Sequence, residues 1–261
     1  MNWLAALILG LIQGLTEFLP VSSSGHLELG EVLLGTKLEE NLTFTVAVHG
    51  ATVLSTIVVF YRDILSLAQS FFTFRRDEQS TTVLKLLFSM IPVIIAGFFF
   101  SDRIESLFTG NVLFVGVMLL VTALLLVLAH IHKPGKRSIS YPDALIIGIA
   151  QAVAVLPGLS RSGATISTGL LLGDKREEVT RFSFLMVLIP VIGANLMEIW
   201  RHRGMTTGSI GFLPLVIGFI AAFISGLLAC RWMIRIVKKG KLIYFAIYCL
   251  IIGLVVVVIS L

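Results

Sequence analysis

Residues 18–26 read Phe18-Leu19-Pro20-Val21-Ser22-Ser23-Ser24-Gly25-His26, in the middle of an apolar stretch that runs over 2–30. A second apolar stretch, 141–173, is interrupted in the same way by Pro157-Gly158-Leu159-Ser160-Arg161-Ser162-Gly163. Proline and glycine stop a helix, and serine caps the start of the next. Each stretch therefore reads as two half-helices around a non-helical turn. In hydrocarbon an unpaired N–H or C=O is costly, so such a turn survives only where protein or a watery cavity surrounds it. Both stretches are expected to be re-entrant helical hairpins.

The composition around them names the solvent. Of 261 residues, 57% are apolar before the 23 glycines are counted, and 13% are charged. Soluble domains carry about 45–50% apolar residues with glycine included, and about 25% charged. That excludes a disulfide scaffold, a disordered chain and an ordinary cytosolic enzyme. The net charge of +5 is spread in short clusters between apolar runs, which reads as membrane orientation and head-group contact, with no nucleic acid as partner. Cys230 and Cys249 sit inside apolar runs and read as packing residues. The N-terminus has no basic n-region and meets Gln13, Thr16 and Glu17 early, so no cleavable signal is expected.

Six segments are long and apolar enough to span a bilayer, at roughly 42–61, 84–100, 111–130, 180–200, 210–232 and 242–260. With both hairpins returning to their own side, fifteen of the 20 Lys and Arg residues, from Arg62 to Lys241, fall on one side. Only Lys37, Arg103, Arg201 and Arg203 fall on the other, and Arg161 lies within a hairpin. The rich side is assigned to the cytoplasm, which places both termini outside.

The two broken stretches also resemble each other. Leu9-Gly10-Leu11-Ile12-Gln13 aligns with Ile147-Gly148-Ile149-Ala150-Gln151, and the two interruptions align after a one-residue gap. Each is followed by three spans, an odd number, so the second copy is inverted. The chain is thus expected to be an all-α polytopic membrane protein of one domain over 1–261. Its first inverted repeat is 1–130 and its second 131–261, each a re-entrant hairpin plus three transmembrane helices. The hairpin tips are expected to face each other near the midplane.

The polar residues at those tips are the candidates for chemistry. Gln13 and Glu17 share one helix face. A carboxylate at membrane depth faces a cavity or a partner more often than lipid. Ser22, Ser23, Ser24 and Gly25 read either as an anion site at a helix start or as plain capping. His26 is either structural or a proton carrier. Arg161 has no easy route to the head groups. Beside Ser160, Ser162, Thr165 and the N–H groups around Gly163, its guanidinium suits a phosphate. His49, Asn195 and Glu198 are weaker candidates, while Gly193 and Gly218 read as helix-packing positions.

The run from Gln13 to His26, together with Pro157-Gly158-Leu159-Ser160-Arg161-Ser162-Gly163-Ala164-Thr165, closely resembles the bacitracin-resistance family of undecaprenyl-pyrophosphate phosphatases. The resemblance runs the full length and includes Ile91-Pro92 and Phe245-Ala246-Ile247-Tyr248. It implies an enzyme of the bacterial cytoplasmic membrane that hydrolyses undecaprenyl diphosphate to the monophosphate. That would recycle the carrier lipid for peptidoglycan and confer bacitracin resistance, with the active site opening outward. The family's (Glu/Gln)-X-X-X-Glu motif falls on Gln13 and Glu17, its active-site Ser and His on Ser23 and His26, and its phosphate-binding arginine on Arg161. Many members have Glu at the place of Gln13 and Thr at the place of Ser24, and the first change removes one carboxylate.

The catalytic set is then Glu17, Ser23, His26 and Arg161. Gln13, Ser22, Ser24, Gly25, Ser160, Ser162, Gly163 and Thr165 bind substrate. Ser23 is expected as nucleophile with His26 as its acid/base partner. Glu17 orients His26 or, with Gln13, holds Mg²⁺ or Ca²⁺. Phosphorylation of His26 and direct attack by water stay open. The partners implied are a prenyl diphosphate lipid, the membrane and, as the oligomer left open, a homodimer. The rival function is an inverted-repeat transporter or prenyl-phosphate flippase; a purely structural scaffold leaves Arg161 unexplained.

Overall fold

The computed structural model describes residues 1–36, 42–73, 77–100, 111–133, 135–201 and 210–260. Among the described residues the regular structure is all helical, apart from a single isolated bridge between Arg137 and Asp174. The helices are α1 (Trp3–Phe18), α2 (Ser23–Leu34), α3 (Leu42–Val59), α4 (Tyr61–Phe72), α5 (Glu78–Phe99), α6 (Val112–Ile131), α7 (Tyr141–Val153), α8 (Arg161–Leu171), α9 (Arg176–Met186), α10 (Leu188–Arg201), α11 (Phe212–Lys238) and α12 (Ile243–Ser260). Helices α5, α6, α11 and α12, and α9 with α10 taken over Arg176–Met197, are long and apolar enough to cross a membrane; α3 with α4 makes a sixth across its bend. The protein is a multi-pass membrane protein. Residues Lys37, Arg75, Arg76, Arg103 and Arg203, and the side chains of Glu198 and Arg201, lie outside what is described.

Both interrupted stretches are pairs of short helices. Pro20 pushes its predecessor out of the helical region, and Leu19 accordingly has φ −74 and ψ 142. The chain then reverses through Ser22 at φ 71, the one non-glycine residue with positive φ among the described residues. In the second hairpin the reversal falls on Gly158 at φ 87, where a Cβ would lie 2.6 Å from the Val115 carbonyl oxygen of α6. Only glycine meets both conditions there.

Two other breaks differ from the expectation. The segment expected as one span over 42–61 ends at Val59, and α4 leaves α3 at 77°. Helix α4 is polar on one face and exposes Tyr61, Leu65, Phe71 and Phe72, the pattern of a helix lying along the interface. Asp63 ties it to Arg181 of α9 at 2.7 Å. The expected span 180–200 is interrupted at Val187, between α9 and α10. Pro190 explains the break: it offers no N–H to the Met186 carbonyl, and its ring crowds that same oxygen.

In lipid, helices associate through close packing of small residues. Gly10 and Gly14 of α1 meet Gly218, Ala222 and Ser225 of α11 so closely that a Cβ on either glycine would collide with α11 backbone atoms. Ser55 of α3 donates to the Phe223 carbonyl of α11 at 2.9 Å. Gly116 of α6 lies against Val256 and Val257 of α12, and Gly148 of α7 against the backbone of Ser89 in α5. Gly218 is thus a packing position. Around Gly193 a Cβ would meet no described atom within 4 Å. The hairpins are therefore wedged among spans: α1 on α11 and α7 on α5, with α2 and α8 both reaching α6.

Candidate active site

The two hairpin tips meet. Arg161, first residue of α8, donates through Nη2 to Glu17 Oε1 at 2.7 Å. Ser162 Oγ donates to the Leu19 carbonyl at 3.3 Å. A Cβ on Gly25 would lie 3.2 Å from Gly158 Cα, so the tips touch through backbone as well. The second tip is anchored from α6, where Thr122 Oγ1 accepts from the Ser160 N–H at 3.0 Å.

Glu17 is the hub. Its Oε2 accepts from Ser23 Oγ at 2.7 Å and from Gln13 Nε2 at 3.0 Å. The side chains of Glu17 and Arg161 are 10% and 29% exposed, so the pair is shielded while the guanidinium keeps an open edge. His49, on α3, turns its Nδ1 to the Thr45 carbonyl at 2.9 Å. Gln13, Glu17, Ser23 and Arg161 thus form one continuous hydrogen-bonded chain.

The other expected residues are placed differently. Ser22 and Ser160 are N-caps, taking the N–H groups of Gly25 and Gly163 at 3.3 and 3.1 Å. Those two amides are therefore committed to the caps. Ser24 and Ser162 approach the caps at 3.4 Å each, and Thr165 is buried, bonding to the Arg161 carbonyl at 3.0 Å. His26 does not reach Ser23: its Nδ1 lies 2.8 Å from the Ser22 carbonyl and its Nε2 2.8 Å from the Tyr248 hydroxyl. The hydroxyl of Ser23 goes to Glu17.

A cavity of about 30 Å³ adjoins the chain, between α3 and the α9–α10 break; its polar lining is Glu17, Thr52, Thr56, Arg161, Ser162 and Ser183. Ser183 Oγ is buried there without a partner among the described residues. Thr52, Thr56 and Ser183 escaped the sequence reading, because hydroxyls inside apolar spans look like ordinary packing positions. Ser183 was findable only through its place three residues before the Met186–Pro190 break.

For a divalent cation the chain offers the Glu17 carboxylate and Gln13 Oε1, which is buried with no partner. Among the described residues no three His, Cys, Asp or Glu side chains gather to hold a metal. Magnesium commonly takes one or two carboxylates plus substrate phosphate oxygens, and this donor set fits an ion of that kind.

Residues 6–255 match the family described as bacitracin resistance protein BacA. The chain belongs to the BacA family. Among its BacA relatives, undecaprenyl-diphosphatase of Bacteroides fragilis is 55% identical over 263 residues, covering 100% of this chain and 99% of the relative. Undecaprenyl-diphosphatase of Bacteroides thetaiotaomicron is 53% identical, covering 99% of each. The protein of that name from Methanosphaera stadtmanae is 38% identical and covers 98% of each.

Proposed function

We propose that this BacA protein is an integral-membrane hydrolase that converts undecaprenyl diphosphate to undecaprenyl phosphate and inorganic phosphate, returning the carrier lipid to cell-wall synthesis. The full-length identity of 55% to an undecaprenyl-diphosphatase carries the substrate. The chain Gln13–Glu17–Ser23 with Arg161 supplies a chemistry suited to it.

Phosphoryl transfer needs positioning and charge neutralisation above all. The terminal phosphate takes the guanidinium of Arg161 in a bidentate contact, displacing Glu17 Oε1. That frees the carboxylate to accept the Ser23 proton as Oγ attacks the terminal phosphorus. The bridging P–O bond breaks and undecaprenyl phosphate leaves with the electron pair. Water then attacks the phosphorus of phosphoserine. Glu17 returns its proton to the departing Ser23 oxygen, and inorganic phosphate leaves with the water's oxygen. Glu17 and Gln13 Oε1 would hold Mg²⁺ or Ca²⁺, which supplies further neutralisation of the phosphate oxygens when bound.

The charge count supports an outward-facing site in a bacterial cytoplasmic membrane, and the like packing of the two hairpins supports inverted repeats over 1–130 and 131–261. No specific observation favours a transporter. The test is phosphate release from undecaprenyl diphosphate in detergent. We expect turnover by the intact protein and a loss of at least about a hundredfold in Arg161→Ala; binding of the lipid without phosphate release would overturn the reading.

A further inference from the structure

Helix α12 touches the first hairpin at two consecutive residues. Cys249 Sγ donates to the Pro20 carbonyl at 3.5 Å, and the Tyr248 hydroxyl lies 2.8 Å from His26 Nε2. The His26 and Tyr248 rings are stacked, with centroids 5.6 Å apart and planes 17° apart. A residue 222 positions away in the chain thus fixes both the plane and one nitrogen of the imidazole.

The atoms around His26 determine its tautomer. Nδ1 faces the Ser22 carbonyl at 2.8 Å, and a carbonyl only accepts, so Nδ1 carries hydrogen. In the neutral ring Nε2 then presents its lone pair, and the Tyr248 hydroxyl donates to it. In the imidazolium Nε2 donates and the same phenolic oxygen accepts. A tyrosine hydroxyl serves both states, whereas a pure donor or a pure acceptor would serve one. His26 follows Ser23 by three residues on α2, so both project from the same side of the helix. Ser22, which bears the carbonyl on Nδ1, is the N-cap at φ 71. The ring is therefore braced from the hairpin's own turn on one side and from α12 on the other.

We propose that Tyr248 is a positioning residue of the phosphatase site, acting through His26. It holds the imidazole one helical turn from Ser23, with Nδ1–H on the turn and Nε2 on the Tyr248 hydroxyl. The inference rests on the phosphatase reading. It adds a residue from the last span to a site otherwise built from the two hairpins.

The experiment is a kinetic double-mutant cycle with Tyr248→Phe, His26→Ala and the double variant, using undecaprenyl diphosphate in detergent. Phe keeps the ring stack and removes only the hydroxyl. We expect kcat to fall about tenfold, the scale of one lost hydrogen bond that matters to the transition state. KM should stay within about twofold, and Tyr248→Phe should change nothing further in the His26→Ala background. Unchanged kcat in Tyr248→Phe, an effect confined to KM, or the same fall with and without His26 would each overturn the proposal. Failure of the unaltered protein to release phosphate would instead overturn the phosphatase reading. As a second readout, the ¹⁵N signal of His26 Nε2 is expected to move in Tyr248→Phe while that of Nδ1 stays. A silent Nε2 signal would contradict the contact itself.

Discussion

Arg161 and Glu17 are 144 residues apart in the chain and 2.7 Å apart in space, each at the tip of a different helical hairpin. Their contact ties the two halves of the protein together at the site. On the proposed mechanism it also holds the cation for the phosphate beside the carboxylate that takes the Ser23 proton.

Removing one member of this pair leaves the other charged in a shielded place. Glu17→Gln is expected to destabilise the protein by ~3 kcal/mol, because an uncompensated buried charge costs more than the pair contributes. The double variant Glu17→Gln with Arg161→Met should recover most of that loss while remaining inactive. Thermal unfolding of the purified protein in detergent measures both. Additive losses in the double variant would contradict this account.

Ser22 is at φ 71 and also caps α2, so its two usual replacements separate strain from capping. Ala loses the cap and keeps the unfavourable φ, whereas Gly loses the cap and relieves the φ. Ser22→Ala should be less stable than Ser22→Gly by ~1 kcal/mol, the reverse of their helix propensities. Equal melting temperatures would show that the backbone there relaxes.

Helix α1 is held by contact with α11 through glycine. Gly14→Ala places a methyl against Ser225 and the Ala222 carbonyl, and overpacking of this kind costs about 1–3 kcal/mol. Because α1 carries Gln13 and Glu17, activity should fall with it. Gly193→Ala, whose new methyl meets no described atom within 4 Å, should raise stability by about 0.5–1 kcal/mol. The two melting temperatures, measured side by side, are expected to move in opposite directions.

Asp174, in the turn between α8 and α9 and outside the spans, is buried, and among the described residues neither carboxylate oxygen has a hydrogen-bond partner. Burial, reinforced by nearby Asp143, pushes its carboxyl up to about 6 from an ordinary 3.8. The folded state therefore holds a proton that the unfolded chain has already released between those two values. Its contribution to stability is greatest at low pH, declines as pH rises from about 4 to 6, and stays lost above. Asp174→Asn should raise the melting temperature at pH 7.5 and narrow the gap between pH 5 and pH 7.5. An unchanged gap would show that Asp174 is solvated.

Much of this is legible in the amino-acid sequence. Pro20, Pro157 and the serine runs punctuate apolar stretches too strongly to be spans, and Arg161 has no reason to sit at depth without an anionic partner. What could not be read was direction. The turn at Ser22 sends the Ser23 hydroxyl to Glu17 and the His26 ring to Tyr248, a choice set by one positive φ that composition does not announce. The bend at Phe60 was hidden because α3 and α4 are both apolar enough to pass as one span and its exit loop. Ser183, and the contact that Tyr248 makes, were hidden for a related reason: in a lipid-facing chain, a hydroxyl in a span gains meaning only from what it meets.

The most direct test of the central claim is rapid quenching of the protein with undecaprenyl diphosphate carrying ³²P in its terminal phosphate, followed by mapping of the labelled residue. The account predicts acid-stable label on Ser23, absent in Ser23→Ala together with turnover. Label on His26, or turnover retained in Ser23→Ala, would contradict it.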